Sequence, residues 1–120
     1  MSLKHPVIDS FPFAISGLKI AFKNEPNLKV HLSFGLVAVI LALKLGFNTL
    51  EMAVLILTVA IVILLELINT VLEAVVNLVS PEIKQQAKIA KDVSAAAVLV
   101  SAFFSLLIGA CLFLPKIVQL

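Results

Sequence analysis

The sequence predicts an all-α integral membrane protein, with an N-terminal amphipathic surface helix and three transmembrane helices, that assembles as an oligomer. The first observation behind this prediction is composition: 62% of the 120 residues are hydrophobic and only 13% are charged. A water-soluble chain this short has too little interior to bury so much apolar material. The second observation is that the apolar residues are gathered in three long runs, and about 20 such residues span a bilayer.

Charge and cysteine content exclude several other classes of protein. The formal net charge is only +2, from nine lysines and seven acids with no arginine, which does not suit a nucleic-acid-binding surface. The single Cys111 excludes an intrachain disulfide, and His5 and His31 are too far apart for a zinc motif. Lys19 and Lys23 interrupt the first apolar stretch, so we expect no cleaved secretory signal.

A helix over residues 8–27 is predicted to lie in the membrane interface. Phe11, Ile15, Leu18 and Phe22 recur at i, i+4, i+7 and i+11, which places them on one face of a helix. Lysines take other faces, as in amphipathic helices that bind the bilayer surface. A packing helix without a role in function is equally compatible with this pattern.

Three transmembrane helices are expected over residues 30–48, 52–79 and 81–114. A turn signal at residues 46–49 separates the first two. The third is expected to begin outside the bilayer, because Ser80, Pro81 and Glu82 have the pattern of an N-cap, a first-turn proline and a first-turn acid. Pro115 is expected to end it.

The distribution of lysines predicts the orientation of these spans. Four lysines precede the first span and three lie between the second and third, whereas Lys44 and Lys116 are the two on the other side. Loops rich in lysine stay in the cytoplasm. We therefore expect a cytoplasmic N-terminus and a cytoplasmic second loop.

The second span carries a row of polar residues. Glu66, Asn69, Glu73 and Asn77 follow one another at i, i+3, i+7 and i+11, so that they share one narrow stripe of a helix. Ionisable groups at membrane depth are costly unless they are paired or solvated, and they commonly mark functional sites. Hydrogen bonding between helices is the alternative explanation of the stripe.

Two carboxylates on adjacent turns are able to bind a divalent cation, or to divide metal binding and proton transfer between them. A hard cation prefers about six oxygen ligands, so a single helix cannot complete such a site. A solvated face is the simpler explanation of the charged residues in the second loop. The other acids and the lysines that could take part lie on the same predicted side of the membrane: Glu25, Glu82, Asp92, Lys84, Lys88 and Lys91.

Several stretches together resemble the bacterial diacylglycerol kinase family, which consists of small three-span lipid kinases and also contains undecaprenol kinase. The segments that carry the resemblance are ELINTVLEAVVN (66–77), SPEI (80–83), AKIAKDVSAAAVL (87–99) and, upstream, SGLKIAFKNEPNLKVH (16–31). The spacings from Glu25 to Glu66, from Glu66 to Glu73 and from Glu73 to Lys91 also agree with the family pattern. The resemblance therefore covers nearly the whole chain and implies a location in the bacterial inner or plasma membrane.

The family resemblance implies a role for each polar residue. By this resemblance, Glu66 corresponds to the general base that takes the proton from the lipid hydroxyl. Glu25 and Glu73 correspond to the carboxylates that bind the magnesium accompanying ATP. Asn69 corresponds to a site-lining amide. The residues implied to contact the nucleotide are Glu25, Glu73, Glu82, Lys91 and Asp92. The family also implies a homotrimer with active sites at the subunit interfaces, in agreement with the incomplete ligand set of one helix.

The resemblance has departures and leaves the substrate open. Asn77, which we expect to line the site, stands where the family usually has Asp. Ser94 and Ala95 stand where some members have Gly and Ser. The NEPNLKVH (24–31) and FLPKI (113–117) stretches look most like the undecaprenol kinase branch, so undecaprenol is the expected substrate and diacylglycerol the alternative.

A small oligomeric proton-coupled transporter is the alternative from another functional class. Such a carrier needs a carboxylate reachable from both sides of the membrane, whereas a kinase needs its acids near the ATP side. Residues 52–65 of the second span contain only Thr58 as a polar side chain, which favours the kinase. The four glycines form no phosphate-binding loop, so any nucleotide must be held by metal and side chains.

Overall fold

The computed structural model describes residues 5–82 and 84–120. Within them the chain forms four helices, α1 (Pro6–Asn24), α2 (Pro26–Lys44), α3 (Thr49–Val79) and α4 (Gln85–Val118), and no strand. The last three helices are long and apolar enough to cross a membrane. The predicted fold class, an all-α membrane protein with one preceding helix and three spans, is confirmed.

The junction between α1 and α2 is a single residue. Glu25 adopts an extended conformation (φ −113°, ψ 99°) and is at once the C-cap of α1 and the N-cap of α2. Pro26 explains the break, because a proline disfavours helical geometry in the residue before it and is well suited to a first helical position. The surface helix expected over 8–27 therefore ends at Asn24, and the helix of the span expected over 30–48 covers Pro26–Lys44 instead.

A tight turn joins α2 to α3. Gly46 has φ +75°, a conformation that favours glycine. Asn48 Oδ1 then accepts a hydrogen bond from Glu51 N at 2.8 Å, while Asn48 N donates to Glu51 Oε1 at 3.0 Å. This reciprocal capping box starts α3 at Thr49, three residues before the expected start at 52.

The prediction that a helix starts at Ser80-Pro81-Glu82 is wrong. Ser80 is the C-cap of α3, and its hydroxyl donates to the carbonyl of Glu82 at 3.0 Å, not to a helix N-terminus. Pro81 disfavours helical geometry at Ser80 and so ends α3 there, while α4 begins at Gln85, after Lys84 as N-cap. At its other end α4 continues through Pro115 to Val118, because a proline in the last turn removes only one hydrogen bond.

Helix α3 packs between α2 and α4. Close approach of α2 is possible because residue 35 is a glycine: a Cβ added there would lie 2.6 Å from Val59 Cγ1. At the far end, the Phe47 and Phe113 rings lie 4.8 Å apart and Lys116 Nζ lies 3.2 Å from Glu51 Oε1, which ties α4 to the α2–α3 turn. Most large apolar side chains remain exposed on the outside of the helices, as expected where lipid is the solvent.

Candidate active site

The predicted stripe on α3 lies at the point where all three long helices meet. Glu66 and Asn69 are the two buried polar residues in the described part of the chain, with 3% and 9% of the residue surface exposed. Glu73 is half-buried and Asn77 is exposed. The stripe thus runs from a buried carboxylate toward the open end of the helix.

Glu66 faces α2. Its Oε1 lies 3.3 Å from His31 Nε2, within ion-pair distance if the imidazole is protonated. The sequence predicts a role for Glu66 but none in the site for His31, which enters only in the exclusion of a zinc motif and within the NEPNLKVH stretch. The sequence does contain a signal for His31: it is an ionisable residue within an expected span, and such residues commonly mark functional sites.

Asn69 joins α3 to α4. Its Nδ2 donates to Glu73 Oε1 at 3.4 Å, and its Oδ1 accepts from Ser94 Oγ at 2.7 Å. Asn69 therefore orients one carboxylate of the stripe and is itself fixed by a hydroxyl of the neighbouring helix. In the sequence Ser94 is only a departure from the family pattern, whereas the structure makes it a contact of the stripe.

The outer end of the stripe reaches the first turns of α4. Lys91 Nζ donates to Asn77 Oδ1 at 2.5 Å. Asp92, the next residue, points elsewhere and accepts from Lys88 Nζ at 2.6 Å, with both of these side chains exposed. Consecutive residues of a helix are about 100° apart, so Lys91 and Asp92 do not share a face even though we expected both at the nucleotide.

Glu25 lies in the same neighbourhood as the stripe. Its half-buried side chain stands at the α1–α2 junction, and its charge and that of Glu73 both act on the Glu66 carboxylate. Glu82 is exposed and, in the part of the chain that the structure describes, its carboxylate contacts none of the other expected site residues.

The donor set suits a magnesium ion that is shared with a nucleotide. Among the described residues no three His, Cys, Asp or Glu side chains are grouped as a metal site. Magnesium, however, is commonly held by one or two carboxylates together with substrate phosphates and water. Glu73, oriented by Asn69, and Glu25 are carboxylates of this kind, so the residues fit a shared metal but not one bound by the single chain alone.

Comparison with known proteins identifies the family. The prokaryotic diacylglycerol kinase model matches residues 12–113, which include every expected site residue. A diacylglycerol kinase of Synechocystis sp. is 40% identical over 112 residues, 92% of this chain and 64% of that relative, so the chain spans less than two thirds of it. An undecaprenol kinase of Bacillus subtilis is 32% identical over 90% of this chain and 88% of its own length.

A diacylglycerol kinase of Escherichia coli K12 is 31% identical over 79% of this chain and 78% of that relative. The similar proteins thus include kinases named for both lipids, and each match extends over most of the present chain. The predicted resemblance is confirmed: the chain belongs to the prokaryotic diacylglycerol kinase family, a family of membrane lipid kinases.

Proposed function

We propose that this protein transfers the terminal phosphoryl group of ATP to the hydroxyl of a membrane lipid alcohol. The observation that carries this function is the buried carboxylate of Glu66, a residue only 3% exposed, on a polar stripe within a family of lipid kinases. A carboxylate in such a place is able to accept a proton from an alcohol while bulk water is kept away. The exclusion of water also limits wasteful hydrolysis of the nucleotide.

Glu66 is the proposed general base. As the lipid oxygen attacks phosphorus, its proton passes to the Glu66 carboxylate. Phosphoryl transfer otherwise depends on positioning and on neutralisation of charge, so a sparse set of side chains suffices.

The remaining residues are proposed to hold the nucleotide and its metal. Glu25 and Glu73 would bind magnesium, and Asn69 sets the Glu73 carboxylate in place through its 3.4 Å hydrogen bond. When bound, the metal neutralises charge on the phosphates. Lys91 supplies positive charge to a phosphate and is held by Asn77, and Glu82 and Asp92 complete the nucleotide side.

Orientation follows from the location of ATP. We place the N-terminus and the segment between α3 and α4 in the cytoplasm, with the chain crossing the bacterial cell membrane three times. Seven of the nine lysines then lie on the cytoplasmic side, in accord with the positive-inside rule. The open end of the stripe, at Asn77 and Lys91, faces the nucleotide in this orientation.

Undecaprenol is the first candidate for the lipid alcohol. It is supported by the NEPNLKVH and FLPKI stretches and by the match to the Bacillus subtilis undecaprenol kinase along 88% of its length. Diacylglycerol is the second candidate, because the Synechocystis relative at 40% identity is named diacylglycerol kinase. A proton-coupled transporter is disfavoured, since the hydroxyl of Thr58 is bonded to the carbonyl of Val54 at 2.7 Å and offers no outward proton path.

A homotrimer with sites at subunit interfaces is the proposed assembly. Glu73 is only half-buried and Asn77 is exposed in the single chain, so a neighbouring subunit would close the open side of the stripe. Co-assembly of inactive Glu25→Gln, Glu66→Gln and Glu73→Gln chains in all pairs tests this assembly. Partial recovery in at least one pair is expected, whereas no recovery despite proven co-assembly would place each site within one subunit.

The decisive test of function offers the two lipids separately. Purified protein in mixed micelles is supplied with magnesium, ATP labelled in its terminal phosphate, and either undecaprenol or diacylglycerol. We expect label to appear in the lipid, with the higher kcat/KM for undecaprenol. A preference for diacylglycerol would reverse the substrate assignment, and the absence of labelled lipid from both would refute the kinase.

A further inference from the structure

The contact between His31 and Glu66 is the place where α2 meets the polar stripe of α3. His31 Nε2 lies 3.3 Å from Glu66 Oε1, and the side chains are 25% and 4% exposed respectively. We propose that His31 receives the proton that Glu66 takes from the lipid hydroxyl and releases it to water. The role assigned to His31 rests on the lipid kinase function proposed above, and His31 acts through Glu66 without touching the substrate.

Burial of Glu66 creates the need for such a partner. After each transfer the protonated Glu66 has to lose its proton before it can act again, yet water scarcely reaches a side chain that is 4% exposed. The hydroxyl of Thr70 does not serve the carboxylate, because it donates to the backbone carbonyl of Glu66 at 3.1 Å. His31 is the titratable side chain that the structure places beside the carboxylate.

The chemistry of imidazole suits this transfer. A neutral imidazole accepts a proton on one nitrogen while the other carries one, and it exchanges protons with water in the physiological pH range. When the lipid oxygen bonds to phosphorus, the bond from phosphorus to the bridging oxygen breaks and its electron pair leaves with ADP. The hydroxyl proton passes to Glu66, then to His31 Nε2, and finally to water, which restores the Glu66 carboxylate.

The position of His31 provides the exit. It lies six residues after Glu25, about 9 Å along α2 from the α1–α2 junction, and a quarter of its side chain is exposed.

Other polar side chains surround the pair. Glu25 at the junction and Glu73 on α3 act on the same carboxylate, and α4 contributes the uncharged Ser94 to this stripe.

The experiment replaces His31 with a side chain that keeps polarity but cannot carry a proton. We expect His31→Gln to lower kcat at least tenfold, with the KM values for ATP and lipid within twofold of the unmodified protein. Imidazole added to the buffer should restore part of kcat, because the site is partly exposed. His5→Gln is the matched control, since His5 is the other histidine of the chain and is exposed at the start of α1. Its activity should be unchanged and indifferent to imidazole.

Each alternative result is informative. A kcat for His31→Gln within twofold of the unmodified protein would overturn the proton transfer. A reduced kcat that imidazole does not restore would also overturn it and leave His31 as an orienting contact only. His31→Asn, assayed in the same way, replaces His31→Gln if the latter fails to elute as the native oligomer. Failure of the unmodified protein to phosphorylate either lipid would instead refute the proposed function itself, which separates the two hypotheses.

Discussion

Lys91 Nζ donates a 2.5 Å hydrogen bond to Asn77 Oδ1, so the amide at the end of α3 holds the lysine at the beginning of α4. An amide fixes the lysine without neutralising it, because the pair carries the full positive charge of the ammonium group. The positive charge therefore remains available to a phosphate. This contact gives a physical role to a position where the family usually has Asp.

Removal of this acceptor should weaken nucleotide binding. We expect Asn77→Leu to raise the KM for ATP by about two- to tenfold, the equivalent of one exposed hydrogen bond of roughly 0.5–1.5 kcal/mol, with kcat within twofold. Steady-state kinetics at varied ATP measures the effect. Asn77→Asp is the control and should keep Lys91 in place; an unchanged KM for Asn77→Leu would show that Lys91 does not need Asn77.

Loss of the Glu73 charge should abolish lipid phosphorylation. Glu73→Gln keeps the size of the side chain and an oxygen that accepts from Asn69, but it removes the charge proposed to bind magnesium. The oligomer should elute unchanged, since loss of a half-buried charge does not unfold a helix.

Glu51→Gln, at the opposite end of α3 beside Lys116, is the matched control and should remain active. Near-normal turnover of Glu73→Gln at saturating magnesium would exclude Glu73 as a metal ligand.

The glycine at the α2–α3 contact should be indispensable for packing. A Cβ at residue 35 would lie 2.6 Å from Val59 Cγ1, so Gly35→Ala is expected to destabilise the protein by about 1–3 kcal/mol through overpacking. Unfolding in mixed micelles measures this change. Gly35→Ala combined with Val59→Ala should recover much of the loss.

Gly109 is the matched position, because an added Cβ there meets nothing within 4 Å. Gly109→Ala should therefore be neutral or stabilising by about 0.5–1 kcal/mol. Equal destabilisation at both glycines would mean that contact with Val59 is not the cause.

Much of the fold was predictable because it depends on local properties of the chain. The length of the apolar runs predicts the three spans, and the spacing of Glu66, Asn69 and Glu73 places them on one face of α3. Boundaries were less predictable where two local rules compete. At Ser80, Pro81 ends α3, and the hydroxyl expected to cap the next helix donates to the carbonyl of Glu82 instead, so that α4 begins only at Gln85.

The contacts that α2 and α4 make with the polar stripe could not be predicted from the sequence, for a different reason. The contacts of His31 with Glu66 and of Ser94 with Asn69 depend on how far α2 and α4 rotate and slide against α3. Periodicity fixes which residues of one helix share a face, but not which face of another helix meets it. The separation of Lys91 from Asp92 arises in the same way, since only one of two adjacent residues can point to α3.

The most direct test of Glu66 as the general base compares Glu66→Gln with the unmodified protein. The measurement is the transfer of labelled phosphate from ATP to a lipid alcohol. General base catalysis contributes about 10²–10⁴-fold to rate, so we predict a fall in kcat of at least about a hundredfold. The KM for ATP should stay within twofold, because Glu66 is proposed to touch the lipid hydroxyl and not the nucleotide. A kcat within about tenfold of the unmodified protein would contradict the assignment of Glu66 as the group that accepts the substrate proton.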